Sequence, residues 1–132
     1  MDDFASSGVG ECVNYSMVHH ITDATVVHIN KPGGGDHLEF CAYFSGKHKL
    51  YCMKVEASVC PNGEACNWTA PAPGAKADIT MFRENLHFHK RSTKKSAAAL
   101  AVVDHGEGCE KHPGRFAILL NKGYIGIESL IR

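Results

Sequence analysis

Residues 38–56 read LEFCAYFSGKHKLYCMKVE and constrain the chain more than any other stretch. Phe, Tyr and Val dominate two arms on either side of Ser45-Gly46-Lys47-His48. Such residues suit a pleated, half-buried surface, and a four-residue loop containing Gly is a normal hairpin connection. Symmetric pairing about that loop puts Glu39 opposite Lys54, Cys41 opposite Cys52 and Tyr43 opposite Leu50. On the other face Leu38 meets Val55, Phe40 meets Met53 and Ala42 meets Tyr51. A slip of one residue would mix the two faces, so this register is the expected one, with the apolar set as the core face.

The rest of the chain extends the β pattern. Two β-like pieces, 17–21 and 24–29, precede the Pro-Gly-Gly-Gly break at 32–35. No helix start and no Gly-Lys-Ser/Thr follows those glycines, so they read as a loop and not as a phosphate cradle. Cys60-Pro-Asn-Gly-Glu-Ala-Cys66 is turn chemistry, and 70–74 is a Pro-rich connector. Residues 78–82 and 85–90 read as strands. Residues 96–103 admit a helix capped by Ser92 or Thr93, or a strand; the surrounding β pattern favours the strand. Residues 114–132 suggest a second hairpin turning at Asn121-Lys122-Gly123, with Gly123 at positive φ and with Ile125, Ile127 and Ile131 on one face. The expectation is a mainly β chain: an antiparallel sandwich, a cupin-like jelly roll or a small barrel, with at most one short helix.

At 132 residues the chain is expected to form one domain, with 1–11 frayed. Fourteen basic residues balance fourteen acidic ones, which gives no global electrostatic case for nucleic acid or a membrane. Protonation of nine histidines would turn the protein cationic below about pH 6.5. The start, MDDFASSG, is acidic and polar and does not read as a signal peptide; an exported form would be the mature chain with an added Met1. Six cysteines and two Asn-x-Ser/Thr sequons, at Asn14 and Asn67, favour an oxidising, secreted context. The bridge set taken from fifteen alternatives is Cys12–Cys109, Cys41–Cys52 and Cys60–Cys66. The alternative is buried free thiols.

Candidate chemistry is sparse. His87-Phe88-His89, read as a strand, would point both imidazoles to one side, with His105, Cys109 or His112 as a third metal ligand. An exposed polar pair flanking a buried Phe88 is the plainer reading, and neither metal nor cofactor is expected. Glu56, Arg83 and His37 or His105 have the order of a small ribonuclease's acid–base pair and phosphate-steadying arginine, without a motif behind them. The basic segment 90–95 reads as a solvated loop, since no aromatic residue is interleaved for base stacking.

The compact, β-rich, cysteine-rich profile resembles the small secreted effectors of plant-pathogenic fungi, including rust avirulence proteins, some with a cupin-like core that has lost its metal ligands. Only His87-Phe88-His89 echoes the cupin pattern. The resemblance implies a monomeric, non-enzymatic protein, secreted and carried on into host cells, that presents a surface to a host protein or receptor. Loop tips at 45–48, 90–95 and 121–123 are then the candidate contacts, with Lys47, His48, Lys94, Lys95, Asn121 and Lys122 as partner-binding residues.

Overall fold

The computed structural model describes residues 17–35 and 37–132. Its centre is a pair of long antiparallel strands, β1 (Val18–His28) and β3 (Leu50–Val59). β1 is rich in Val, Thr and Ile, and β3 carries Val55, Val59 and Tyr51; branched and aromatic side chains favour extended backbone. Three short strands line the outer edge of β3: β2 (Phe44–Ser45), β5 (Ala72–Pro73) and β4 (Ala65–Trp68). On the other side of β1, β6 (Ala117–Leu119) pairs in parallel, with Ile21 beside Leu119. The chain is therefore mainly β, as expected, but the six strands of the described residues form one mixed sheet.

Among the described residues four short helices accompany it, where at most one was expected: α1 (His37–Tyr43), α2 (Asp78–Glu84), α3 (Leu86–Ser92) and α4 (Ala97–Leu100). α2 and α3 cover one face of the sheet. The face they cover carries His20 and Thr22 from β1 and Cys52, Lys54, Glu56 and Ser58 from β3, all buried. Antiparallel pairing sets these residues side by side, with Thr22 opposite Ser58 and Ala24 opposite Glu56. The expected core face is thus the wrong one. Tyr51, Met53 and Val55 are only half-buried on the other side, where Ile21 and Val27 stand exposed. The sheet buries its polar alternation under the helices, because lysine and carboxylate find partners there.

The apolar core lies beside the sheet, not within it. Phe82, Ile118, Tyr124, Ile127 and Ile131 form it, with Ile79, Leu86, Leu120 and Leu130 packed against them. It joins α2 and α3 to β6 and to the segment that follows.

Several local expectations are corrected by the same packing. The first hairpin arm, 38–43, is helix α1, so Glu39 does not face Lys54 and Cys41 does not face Cys52. What survives is β2 against the start of β3, with Phe44 opposite Tyr51 and Ser45 opposite Leu50. The turn falls at 46–49, with Lys49 at φ 58°. α1 is pinned at its end by Ala75 N–H donating to Ala42 O at 2.9 Å. The stretches 78–82 and 85–90 are helical because Ile79, Phe82 and Leu86 recur at helical spacing and share the core. α4 settles 96–103 as helix over Ala97–Leu100, capped by Ser96, whose Oγ accepts from Ala99 N–H at 3.2 Å. After Leu119 the chain forms a 3-10 turn (Lys122–Tyr124) in place of a returning strand. Gly126, not Gly123, takes the positive φ, and Ile125 is exposed while Ile127 and Ile131 are buried. The expected fraying of 1–11 lies outside the described residues.

Candidate functional site

The parallel pairing of β1 with β6 brings two distant polar residues together. Asp23, within β1, and Asn121, just past the end of β6, each lie two positions beyond the Ile21–Leu119 pair. Asn121 Nδ2 donates to Asp23 Oδ1 at 2.9 Å, across 98 residues of chain. The same carboxylate oxygen accepts from Ala24 N–H at 2.9 Å. Asn121 Oδ1 in turn accepts from Gly123 N–H at 2.8 Å. That second bond fixes which way round the amide sits, because only its oxygen can accept from a backbone N–H. Both side chains are exposed on the uncovered face.

Behind this edge, under the helices, runs a buried polar chain. His89 Nε2 is 2.9 Å from Glu56 Oε1, and both side chains are fully buried. Since a carboxylate accepts, His89 Nε2 donates to Glu56, and its Nδ1 lies 3.1 Å from His20 Nε2. His20 Nδ1 in turn shares a hydrogen bond of 2.8 Å with His19 Nδ1. Asn85, at the break between α2 and α3, donates to both Glu56 Oε1 and Asn67 Oδ1 at 3.0 Å. Burial, then the neighbouring His19 and His89, push the His20 pKa down to about 3. Burial also lowers that of His19. Phe82 stacks on His89 with ring centroids 4.0 Å apart. Glu56 Oε2 and the Tyr124 hydroxyl are buried, with no hydrogen-bond partner at normal geometry among the described residues. Burial, followed by the charges of Glu56, Asp78 and Asp23, raises the Tyr124 pKa.

A third cluster ties down the carboxyl-terminal segment. Asp104 receives Arg132 through both oxygens and Lys95 Nζ at 2.5 Å. The Arg132 hydrogen bonds come first among the causes that hold its carboxyl well below the usual range. This is a structural clamp, and it removes Lys95 from the candidate contacts, since that residue is buried.

The other expected residues scatter. Lys47 is exposed, 3.5 Å from Asp78, and Lys54 Nζ meets the same carboxylate at 2.9 Å. His48, Lys94 and Lys122 are exposed. His87 is exposed while His89 is fully buried, because on a helix residues two apart point to different sides. His112 bonds Glu128 O at 3.0 Å, and His105 is exposed. Among the described residues, no three His, Cys, Asp or Glu side chains converge to hold a metal ion. The ribonuclease trio does not assemble either, for Glu56 is buried against His89 while Arg83 is exposed. Cys41, Cys52, Cys60, Cys66 and Cys109 are free thiols, and Cys12 lies outside the described residues. Burial beside Cys60 pushes the Cys66 thiol up to about 12. Asn67, the second sequon, is half-buried and bonded to Asn85. No helix among the described residues is long and apolar enough to cross a membrane.

Sequence reasoning placed Asn121 in a loop tip but missed Asp23 and the buried histidine chain. Only the parallel β1–β6 pairing, which no local pattern announces, brings Asp23 and Asn121 together.

The family model that matches, DDE superfamily endonuclease, spans residues 22–131, so it takes in both β1 from Thr22 onwards and the β6 edge. The chain belongs to the DDE superfamily endonuclease family. No curated protein and no solved structure matches it. Membership overturns the reading as a non-enzymatic effector or virulence protein working through surface loops. That reading rested on size, cysteine content and β patterning, which many unrelated chains share and which define no site.

Proposed function

We propose that this chain engages a nucleic-acid phosphodiester at the edge where Asp23 and Asn121 meet. The observation that carries this reading is the Asn121–Asp23 hydrogen bond on the exposed face beyond the end of β6. Membership of an endonuclease family supports it, since that class acts on phosphodiesters. The exposed Lys122 stands next to the pair and supplies a cation for a phosphate oxygen.

Nucleases of the two-metal kind gather several oxygen ligands around divalent cations. The described residues do not fit that requirement as they stand. Asp23 Oδ1 already takes two N–H donors, and its partner across the strands is an amide, whose nitrogen cannot ligate a cation in place of a carboxylate oxygen. What this edge supplies is one carboxylate held in place, one oriented amide and the exposed Lys122.

Fluorescence anisotropy with a labelled DNA duplex, in EDTA, tests the reading. Binding should weaken as salt rises from 50 to 200 mM, as phosphate contacts require. Lys122→Glu should weaken it further, by about tenfold for the loss and reversal of one phosphate contact. Binding that is absent, or unchanged by Lys122→Glu, would count against this edge.

A further inference from the structure

The Asp23–Asn121 pair carries one inference beyond this, resting on the proposed reading only for where the phosphodiester lies. We infer that the Asn121 amide stands in for a bridging cation: it closes Asp23 Oδ1, the oxygen facing position 121, to a shared divalent metal, and one carboxylate at position 121 opens a cation site there.

The geometry is specific. Asn121 cannot rotate its nitrogen away, because Gly123 N–H holds its oxygen at 2.8 Å. A Cβ on Gly123 would come within 3.0 Å of that oxygen, so the turn is already fitted closely around it. The NH2 group is thereby aimed at Asp23 Oδ1, 2.9 Å away. An aspartate in the same rotamer would keep one oxygen on Gly123 N–H and place its other oxygen where the nitrogen now is. Two carboxylate oxygens would then face each other at the present 2.9 Å. That is the edge of an octahedron with metal–oxygen bonds of about 2.1 Å, the spacing at which Mg²⁺ takes neighbouring ligands. Like charges so close need a counter-ion, which the amide now makes unnecessary by donating a proton of its own. Both groups lie on the exposed face, so water can complete the coordination.

The test uses Mn²⁺ alone, read by the loss of its free electron-paramagnetic-resonance signal on titration into metal-stripped protein. Wild-type chain should show no binding that Asp23→Asn removes. Asn121→Asp should bind Mn²⁺ at least about tenfold more tightly than wild type, and its melting temperature should rise with Mn²⁺ by mass action. Adding Asp23→Asn to Asn121→Asp should return binding to the wild-type level. Wild-type binding that a folded Asp23→Asn loses would overturn the inference. So would a folded Asn121→Asp, by circular dichroism, that gains nothing. DNA binding measured in EDTA is independent of these outcomes, so its failure would sink the functional reading and leave the cation result standing.

Discussion

Burying an imidazole costs free energy chiefly when the ring is charged, and this sets how the chain responds to acid. His20 is fully buried, and its pKa is lowered to about 3 from 6.5. In the unfolded chain it takes up a proton below about pH 6.5; in the fold it stays neutral until far lower. Stability is therefore complete above pH 6.5 and falls as the pH drops towards 3, by up to about 1.4 kcal/mol per pH unit for this group. His19, also lowered, adds to the loss in the same direction. Asp104, whose pKa is depressed, loses its contribution only below the usual carboxylate range, so the interval from pH 6.5 to 4.5 isolates the histidines. Urea midpoints should fall steadily across that interval. His20→Leu should start from lower stability, with His89 Nδ1 left unpaired, but show a flatter slope. A wild-type midpoint constant from pH 6.5 to 4.5 would refute a buried His20 held neutral in the fold.

Among the elements, the short strand β5 shows how tightly the edge of the sheet is built. Gly74, immediately after it, donates to Cys52 O at 2.9 Å. A Cβ there would lie 2.5 Å from Cys52 Sγ, 2.6 Å from Cys52 O and 2.8 Å from Tyr43 O. Two of those neighbours are backbone and cannot swing aside. Gly74→Ala should cost about 1–3 kcal/mol in chemical denaturation, as overpacking does. An unchanged midpoint would mean that β5 and the end of α1 do not close on β3 as described. The elements also show what could be read from residues alone. β1, β3 and the Pro-Gly loop were legible, because branched residues and turn residues act locally. α2 and α3 were not, since Ile79 and Met81 alternate like a strand while Ile79, Phe82 and Leu86 keep helical spacing. Tertiary packing against Ile118 and Tyr124 decides between the two periods. The Asp23 site was illegible for a related reason. β6 is three residues long, and its parallel partner lies about a hundred positions earlier, beyond the reach of any hairpin signal.

For the whole molecule, the balanced charge that argued against nucleic acid describes the chain only as a sum. Lys95 and Arg132 are taken up by Asp104, and Lys54 by Asp78, so the free cations sit at particular edges, Lys122 among them. Recognition should accordingly be local and not spread over the surface. The most direct measurement is a nitrogen–proton correlation spectrum of the chain titrated with a short DNA duplex in EDTA. The account predicts the largest shifts at the Asn121 side-chain amide and at the backbone amides of Asp23, Ala24, Lys122 and Gly123. Shifts confined to the 46–49 turn or to α4, with the Asn121 amide unmoved at saturation, would contradict it.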